Sequence, residues 1–346
     1  MNENWDIVAL FGAVLDLCNL KPGETLAVFT EGLEREAYVA AYLAAAAERG
    51  VAAFHVNVAK KMPPPGTKVK TTSLSGNTAA VEALKNADLM LDLVGLLWSA
   101  EQSAILASGT RILTCKEPLE NIIRMFPTEQ LRERVERGAE RLGKSKKLQI
   151  RSAAGTDVEY DLGRYPVVTQ YGYTDEPGRW DLLAGGFLYT GAYDEGVNGV
   201  AVIAPGDIVF PFRRYLTGSV TMTIKHGRVV DVGGSNLDAE LIRTYMARFN
   251  DPRAYAVSHI GWGMDEKAQW DFLATSPIAS QSFGVDARSF YGNVLFSTGP
   301  NSELGGTNDT GCHFDIPLRN CDLLLDGECI VKAGAVVPDD LRAPGR

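Results

Sequence analysis

The first third of the chain alternates short apolar runs with alanine-rich or amphipathic stretches, and this alternation restricts the fold more than any other feature. A continuous apolar run at residues 25–30 predicts a strand buried on both faces. A helix over residues 34–49 and a second strand over residues 52–58 follow. The alternation continues with helices predicted at residues 78–85 and 100–107 and strands predicted at residues 89–97 and 111–114. Such alternation predicts an α/β domain with a mostly parallel sheet.

Helices and one loop complete this predicted domain. Residues 7–20 predict a buried first helix, which is too short to span a bilayer and contains Asp16. Residues 61–67 contain three prolines and predict a loop. Tandem helices over residues 119–142 precede the basic segment Lys144-Ser-Lys-Lys, which predicts a linker. We therefore expect the first domain to cover residues 1–145.

The periodicity changes in the second part of the chain. Residues 148–151, 157–160 and 220–225 alternate apolar and polar side chains, which predicts half-exposed antiparallel strands. One amphipathic helix is predicted over residues 237–249, and Asp326-Gly327 predicts a hairpin turn. We expect an α+β domain with an antiparallel sheet over residues 146–346.

Composition and charge narrow the class of partner. The chain has 346 residues, of which 45% are hydrophobic and 22% charged, as in globular proteins with a substantial core. A net charge of −9 argues against binding to nucleic acid or to an anionic membrane surface, so a small-molecule partner is expected. Five cysteines without a CxxC pair argue against a disulfide framework and favour a reducing cytoplasm.

A His-x-Asp motif near the C-terminus is the strongest chemical signal. If the chain is extended there, the side chains of His313 and Asp315 point to the same face and can bind one metal ion together. The glycine-rich approach at residues 305–311 allows backbone to pass close to a bound ion or ligand. Glu303 lies just before the motif and is either a further ligand, an acceptor for a ligand histidine or a solvated turn residue. An ordinary hydrogen-bonded His–Asp pair is the competing interpretation.

A third ligand is sought among the remaining histidines. The chain has only His55, His226 and His259 besides His313. His259 is the best choice, because it lies in a short extended run that ends in Gly-Trp-Gly, as expected at a pocket rim. Two histidines and one carboxylate would form a facial triad with roughly three open positions on an octahedral Fe²⁺, which suits dioxygen chemistry. His55 and His226 are predicted to be structural.

Three segments together carry a family resemblance. They are Tyr173-Thr-Asp-Glu-Pro-Gly-Arg-Trp, Ser258-His259-Ile-Gly-Trp-Gly and Asn301-Ser-Glu-Leu-Gly-Gly-Thr-Asn-Asp-Thr-Gly-Cys-His313-Phe-Asp315-Ile-Pro. With them the chain resembles the 2,5-dihydroxypyridine 5,6-dioxygenases, mononuclear Fe²⁺ enzymes related in fold to the M29, aminopeptidase T-like metallopeptidases. The resemblance implies that His259, His313 and Asp315 hold Fe²⁺, that the substrates are a small hydroxylated N-heteroaromatic and O₂, and that the chain is a homo-oligomer. The type reaction converts 2,5-dihydroxypyridine to N-formylmaleamate.

The resemblance also places a substrate pocket. Positions near Trp98, Gln170 and Leu182 are ones where acidic or histidine side chains are expected in the family. We predict that Gln170 is catalytic and that Trp98 and Leu182 contact the substrate. Arg179 is predicted to recognise a planar anionic ring, with a structural clamp of its own loop as the alternative.

Two hydroxyl residues end a predicted strand over residues 293–296. Ser297 is predicted to be catalytic and Thr298 to bind a substrate oxygen, and strand capping is the alternative for both. Two other classes of function stay open at this point. A mononuclear metal-dependent hydrolase, aminopeptidase-like or acting on an aromatic amine or amide, would use the metal to activate water. A metal-stabilised module without activity would have a saturated coordination sphere.

Overall fold

The computed structural model describes residues 6–61 and 71–345. Its α-helices are α1 (Ile7–Leu17), α2 (Glu36–Glu48), α3 (Thr78–Lys85), α4 (Ala100–Ala107), α5 (Leu119–Arg124), α6 (Glu129–Lys144), α7 (Leu237–Ala247), α8 (Phe272–Thr275) and α9 (Val285–Ser289). Its strands are β1 (Thr25–Glu31), β2 (Ala52–Val58), β3 (Leu89–Asp92), β4 (Arg111–Cys115), β5 (Lys147–Ser152), β6 (Asp157–Asp161), β7 (Val168–Gln170), β8 (Trp180–Leu183), β9 (Phe187–Gly191), β10 (Val197–Ile203), β11 (Ile208–Val209), β12 (Arg214–Tyr215), β13 (Val220–Lys225), β14 (Arg228–Gly233), β15 (Val257–Gly263), β16 (Val294–Thr298), β17 (Phe314–Leu318), β18 (Cys321–Leu325), β19 (Glu328–Lys332) and β20 (Ala335–Val336).

The chain forms two compact units whose boundary differs from the predicted one. The first unit comprises Met1–Pro127 and Tyr171–Gly185, and the second comprises Thr128–Gln170 and Gly186–Arg346. Helix α6 therefore belongs to the second unit, and this division differs from the predicted boundary at residue 145. The physical reason is that β8 hydrogen-bonds in parallel alongside β4 and so returns residues 171–185 to the first unit. Periodicity along the chain carries no signal for this distant pairing.

The first unit is built on the predicted parallel sheet. Its strand order is β2-β1-β3-β4-β8, and all of its described pairings are parallel. Strand β1 lies between β2 and β3 and is buried except at its ends, as its continuous apolar run predicts. These observations confirm the α/β assignment of the N-terminal part of the chain.

Strand β3 is shorter than predicted. The pattern predicts a strand to residue 97, but β3 ends at Asp92. The buried carboxylate of Asp92 accepts hydrogen bonds from the backbone N–H groups of Val94, Gly95 and Leu96. Because these N–H groups bond a side chain instead of a neighbouring strand, the chain turns away from the sheet.

The second unit contains two antiparallel sheets and the short pair β11–β12. The eight-stranded sheet has the order β14-β13-β10-β6-β5-β18-β19-β20. Buried and more exposed residues alternate along β5, β6 and β13, which confirms the predicted half-exposed strands. Asp326 and Gly327 connect β18 to β19 with positive φ angles of 49° and 90°, as a two-residue hairpin turn requires.

The five-stranded sheet of the second unit carries the candidate site. Its order is β17-β16-β15-β9-β7, and every residue of β15, β16 and β17 is buried. Of the predicted proline-rich loop, only Lys61 lies within the described residues. Among the described residues, no helix is both long and apolar enough to cross a membrane.

Candidate metal centre

Neighbouring strands of the five-stranded sheet supply the predicted ligands. His259 lies on β15 and Asp315 on β17, and both strands pair with β16, which lies between them. Asp315 lies directly opposite Ser297 of β16. His313 immediately precedes β17, so the i, i+2 spacing brings its imidazole to the face that carries Asp315.

A bulge in β15 turns His259 toward this face. The pairing register of β15 with β16 shifts between Val257 and Ile260, so two residues of β15 face Ser297 alone. His259 is one of them. The hydroxyl of Ser297 accepts a hydrogen bond of 2.8 Å from the backbone N–H of His259 and donates one of 2.9 Å to its carbonyl oxygen. This hydroxyl therefore replaces the ladder hydrogen bonds that the bulge removes.

A tight turn after β16 orients the imidazole of His313. Gly299 has a φ angle of +111°, and a Cβ atom there would lie 2.0 Å from the carbonyl oxygen of Cys312. Only glycine permits this approach. The Nδ1 atom of His313 lies 3.1 Å from the carbonyl oxygen of Thr298. Because a carbonyl oxygen can only accept, Nδ1 carries a proton, and Nε2 is the ring atom that faces Asp315 and could bind a metal.

Three ligand atoms meet at one point of the sheet surface. The Nε2 atoms of His259 and His313 each lie 3.2 Å from Oδ1 of Asp315, and all three ligand atoms lie within 4.8 Å of one another. Oδ1 accepts no hydrogen bond from the described residues. A distance of 3.2 Å is shorter than two ligand bonds of about 2.1 Å, so one ion can contact both atoms of each pair. The convergence of lone pairs fits a metal cation.

Neighbouring charges keep the buried carboxylate of Asp315 ionised. His259 and Asp315 are each only 7% exposed. Burial alone would raise the pKa of Asp315, but the charges of His313 and Arg288 hold that pKa well below its usual range. Burial would likewise lower the pKa of His313, but the charge of Asp315 raises it above its ordinary value. Asp315 is therefore a carboxylate at neutral pH, as a metal ligand must be.

The structure adds contacts that sequence reasoning did not find. The Nε of Arg288 donates a 2.8 Å hydrogen bond to Oδ2 of Asp315. The ring of Tyr189 packs on the imidazole of His259 with ring centroids 4.8 Å apart. An arginine inside the mostly buried helix α9 is the only sequence signal for the first contact. Tyr189 lies in an apolar strand and has no distinguishing signal.

A buried asparagine organises the loop that leads to His313. The backbone N–H of Asn301 donates to the carbonyl oxygen of Asn308, and its Oδ1 accepts from the backbone N–H of Asn308. Its Nδ2 donates a 3.1 Å hydrogen bond to Oδ1 of Asp194. The loop contains Glu303, whose Oε2 is buried, has no hydrogen-bond partner among the described residues and lies near enough to His313 to raise its pKa. A purely solvated turn residue does not fit this burial.

The two predicted hydroxyl residues act through backbone contacts. Ser297 is fully buried and its hydroxyl donates to the carbonyl oxygen of His259, a contact that positions this residue, while the catalytic role of Ser297 stays a prediction. Thr298 contributes its carbonyl oxygen to His313. Alternation along β16 directs the side chain of Thr298 to the face opposite Ser297 and Asp315, which argues against the predicted substrate contact.

Four other predicted site residues lie elsewhere in the described fold. Gln170 ends β7 in the second unit, and its buried Oε1 has no partner among the described residues. Trp98 and Leu182 lie in the first unit, and their substrate contacts stay predictions, as does the catalytic role of Gln170. Arg179, also in the first unit, forms an ion pair of 2.9 Å with the buried Asp181 and stacks over the ring of Tyr171. Its guanidinium also donates to the carbonyl oxygen of Tyr173, as expected of the loop clamp, and recognition of a substrate ring by Arg179 stays a prediction.

We expect the three converging residues to act as one unit in metal binding. Replacing His259, His313 or Asp315 by alanine should abolish stoichiometric metal retention while the circular dichroism spectrum is preserved, because each variant removes one of three ligands. Metal per chain after reconstitution and desalting is the measurement. His55→Ala and His226→Ala are the controls and should bind metal as the unmodified chain does. Loss of metal in His226→Ala with retention in His259→Ala would contradict the assignment.

The bulge in β15 generates a second prediction with a matched pair of variants. Ser297→Ala leaves the buried N–H and carbonyl groups of His259 without the hydroxyl partner, so metal affinity should fall about 10- to 100-fold. Thr298→Val removes a buried hydroxyl that has no partner among the described residues and should leave metal affinity unchanged. Competition titration with a chelator measures both. Equal effects of the two substitutions would show that the hydroxyl of Ser297 does not position His259.

Comparison with known proteins identifies the family. A family model described as 2,5-dihydroxypyridine 5,6-dioxygenase matches residues 6–338. The 2,5-dihydroxypyridine 5,6-dioxygenase of Pseudomonas putida KT2440 is 48% identical over 273 residues, which cover 79% of this chain and 77% of that protein. A solved structure of the 2,5-dihydroxypyridine dioxygenase of that organism has a TM-score of 0.94 and 41% identity, covering 97% of this chain and 98% of the other.

A more distant structure shares the fold alone. AmpT from Thermus thermophilus has a TM-score of 0.57 at 14% identity and covers 96% of this chain and 99% of its own. This likeness confirms the M29 aminopeptidase-like fold and carries no argument about activity. The family match and the P. putida relative confirm the resemblance seen in the sequence. The chain belongs to the 2,5-dihydroxypyridine 5,6-dioxygenase family.

Proposed function

We propose that this chain is an Fe²⁺-dependent dioxygenase that opens the ring of 2,5-dihydroxypyridine, or of a close hydroxylated N-heteroaromatic, with N-formylmaleamate as the product from 2,5-dihydroxypyridine. The observation that carries the proposal is the convergence of two imidazole nitrogens and one carboxylate oxygen at a buried point. In a chain of this family, that donor set supports a redox-active metal with positions left for substrate and O₂.

Iron is the metal that the donor set fits best. Among the described residues, only His259, His313 and Asp315 form a group of three or more histidine, cysteine, aspartate or glutamate residues that could hold an ion. A two-histidine, one-carboxylate set with open positions is typical of non-heme Fe²⁺ oxygenases and also of catalytic zinc in hydrolases, and membership of a dioxygenase family favours iron. When bound, iron would supply the chemistry that couples the electron-rich substrate to dioxygen.

The residues of the chain have separate tasks in this proposal. Thr298 fixes the tautomer of His313 through its carbonyl oxygen, and Ser297 fixes the position of His259 through its backbone. Arg288 balances the charge of the buried Asp315. We infer that Gln170 orients the ring, because its buried Oε1 is an acceptor without a partner among the described residues and suits a hydroxyl or ring N–H donor.

The rival function is hydrolysis by a mononuclear metal centre, and the co-substrate separates the two. After anaerobic reconstitution with Fe²⁺, the protein should consume dioxygen in step with the loss of 2,5-dihydroxypyridine, because dioxygenation incorporates O₂ into the product. An oxygen electrode combined with the absorbance of the substrate measures this. The His313→Ala variant is the control and should consume none. Turnover of a hydroxypyridine, amide or peptide without oxygen uptake would favour the hydrolase.

We also infer that the chain is a cytoplasmic homo-oligomer that binds neither nucleic acid nor membranes. The five cysteines are free thiols, which suits a reducing compartment, and the net charge of −9 opposes binding to polyanions. Strand β2 supports self-association. It pairs only with β1 among the described strands, all of its residues are exposed or half-exposed, and its sequence Ala-Ala-Phe-His-Val-Asn-Val contains no charge or proline that would protect a free edge.

Self-association through this edge has a direct test. Light scattering at micromolar concentration should give a multiple of the 37.4 kDa chain mass, and Val56→Lys on β2 should shift the mass toward the monomer. Val230→Lys, which replaces an exposed apolar residue of the second unit, is the matched control. A monomer for the unmodified chain would contradict the inference.

A further inference from the structure

The guanidinium of Arg288 is held rigidly beside the candidate metal centre. Its Nε donates a 2.8 Å hydrogen bond to Oδ2 of Asp315, and its Nη1 donates a 2.6 Å hydrogen bond to the carbonyl oxygen of Phe283. The group also lies over the ring of Phe210, 4.4 Å from its centroid, and 5.4 Å from the ring centroid of Phe283. The side chain is only 13% exposed. These four contacts restrict the orientation of the guanidinium.

The same residues fix the backbone of the carboxylate. Phe210 donates its N–H to the carbonyl oxygen of Asp315 at 2.9 Å, and Asp315 donates its N–H to the carbonyl oxygen of Phe210 at 3.3 Å. Gly284, with a φ angle of +89°, allows the arginine and the phenylalanine to approach, since a Cβ atom there would lie 2.8 Å from Nη1 and 2.6 Å from the ring of Phe210. The arginine and the carboxylate are therefore placed by a shared set of contacts.

The two oxygens of Asp315 consequently have different surroundings. Oδ2 bonds the guanidinium, whereas Oδ1 faces the two imidazole nitrogens and accepts no hydrogen bond from the described residues. A carboxylate can bind a metal through one oxygen or through both. A charge-assisted hydrogen bond of this length on one oxygen competes with the metal for that oxygen.

We propose that Arg288 is a positioning residue that confines Asp315 to binding the metal through Oδ1 alone, and so keeps a coordination position for substrate or dioxygen. This inference rests on the proposed metal-dependent function. It extends that function because the arginine would limit the number of bonds between Asp315 and the metal and would not contact the substrate. The positive charge of the guanidinium also repels the metal cation. The arrangement therefore lowers metal affinity while it keeps a coordination position open.

The sign of the effect on metal affinity separates this role from a merely structural one. In Arg288→Met, Oδ2 becomes available and the repulsive charge is gone, so Co²⁺ should bind with equal or higher affinity while its visible absorption spectrum changes with the coordination number. Turnover with 2,5-dihydroxypyridine should fall about tenfold or more. Arg288→Lys keeps a charge near Oδ2 and should recover part of the turnover and of the original Co²⁺ spectrum.

A second arginine of the same unit provides the control. Arg319→Met removes an arginine that also lies over aromatic rings of the second unit, Trp270 at 5.3 Å and Phe290 at 6.0 Å, and it should change neither spectrum nor affinity. Co²⁺ affinity about tenfold weaker in Arg288→Met, or an unchanged Co²⁺ spectrum, would overturn the proposal. Because the Co²⁺ measurements need no turnover, they remain decisive even if the unmodified protein fails to oxidise 2,5-dihydroxypyridine.

Discussion

The buried negative charge of Asp315 is the constraint on which the metal centre depends. A carboxylate that is 7% exposed is strongly destabilised unless cationic partners compensate it. Arg288 compensates one oxygen, and the other oxygen faces two imidazole nitrogens. The charges of His313 and Arg288 together hold the pKa of Asp315 well below its usual range, so the carboxylate stays ionised although burial opposes its charge.

The geometry of the centre comes from the strand order of the sheet. The two histidines and the aspartate belong to segments that flank β16, and β16 contributes no ligand of its own. It acts instead through Ser297, which bonds the bulged backbone of His259, and through the carbonyl oxygen of Thr298, which bonds His313. The strand between them thus orients candidate ligands on both of its neighbours. Substitutions on β16 are therefore expected to act mainly by displacing the side chains of His259 and His313.

Sequence reasoning predicted the parts of this arrangement that depend on local pattern. The His-x-Asp spacing defines a shared face whenever the chain is extended, and the structure brings His313, Asp315 and His259 together. The turn at Asp92, the return of residues 171–185 to the first sheet and the bulge at His259 could not be predicted. Each depends on a side chain bonding a backbone group, or on a pairing between segments distant in sequence, and neither leaves a periodic signal.

The contrast between fold and site explains why the neighbouring fold does not decide the chemistry. AmpT has the same fold at 14% identity, so the scaffold tolerates almost complete replacement of its sequence. What the scaffold supplies is a rigid sheet on which adjacent strands present side chains at a common face. The chemistry then depends on which donors occupy those positions and on how the buried charge is balanced around them. In this chain the side chains that converge at the common face are two imidazoles and one carboxylate, and Arg288 bonds the carboxylate oxygen that points away from the imidazoles. The segments on either side of β16 therefore carry the side chains in which the chemistry of this chain is expected to differ from that of other proteins with the fold.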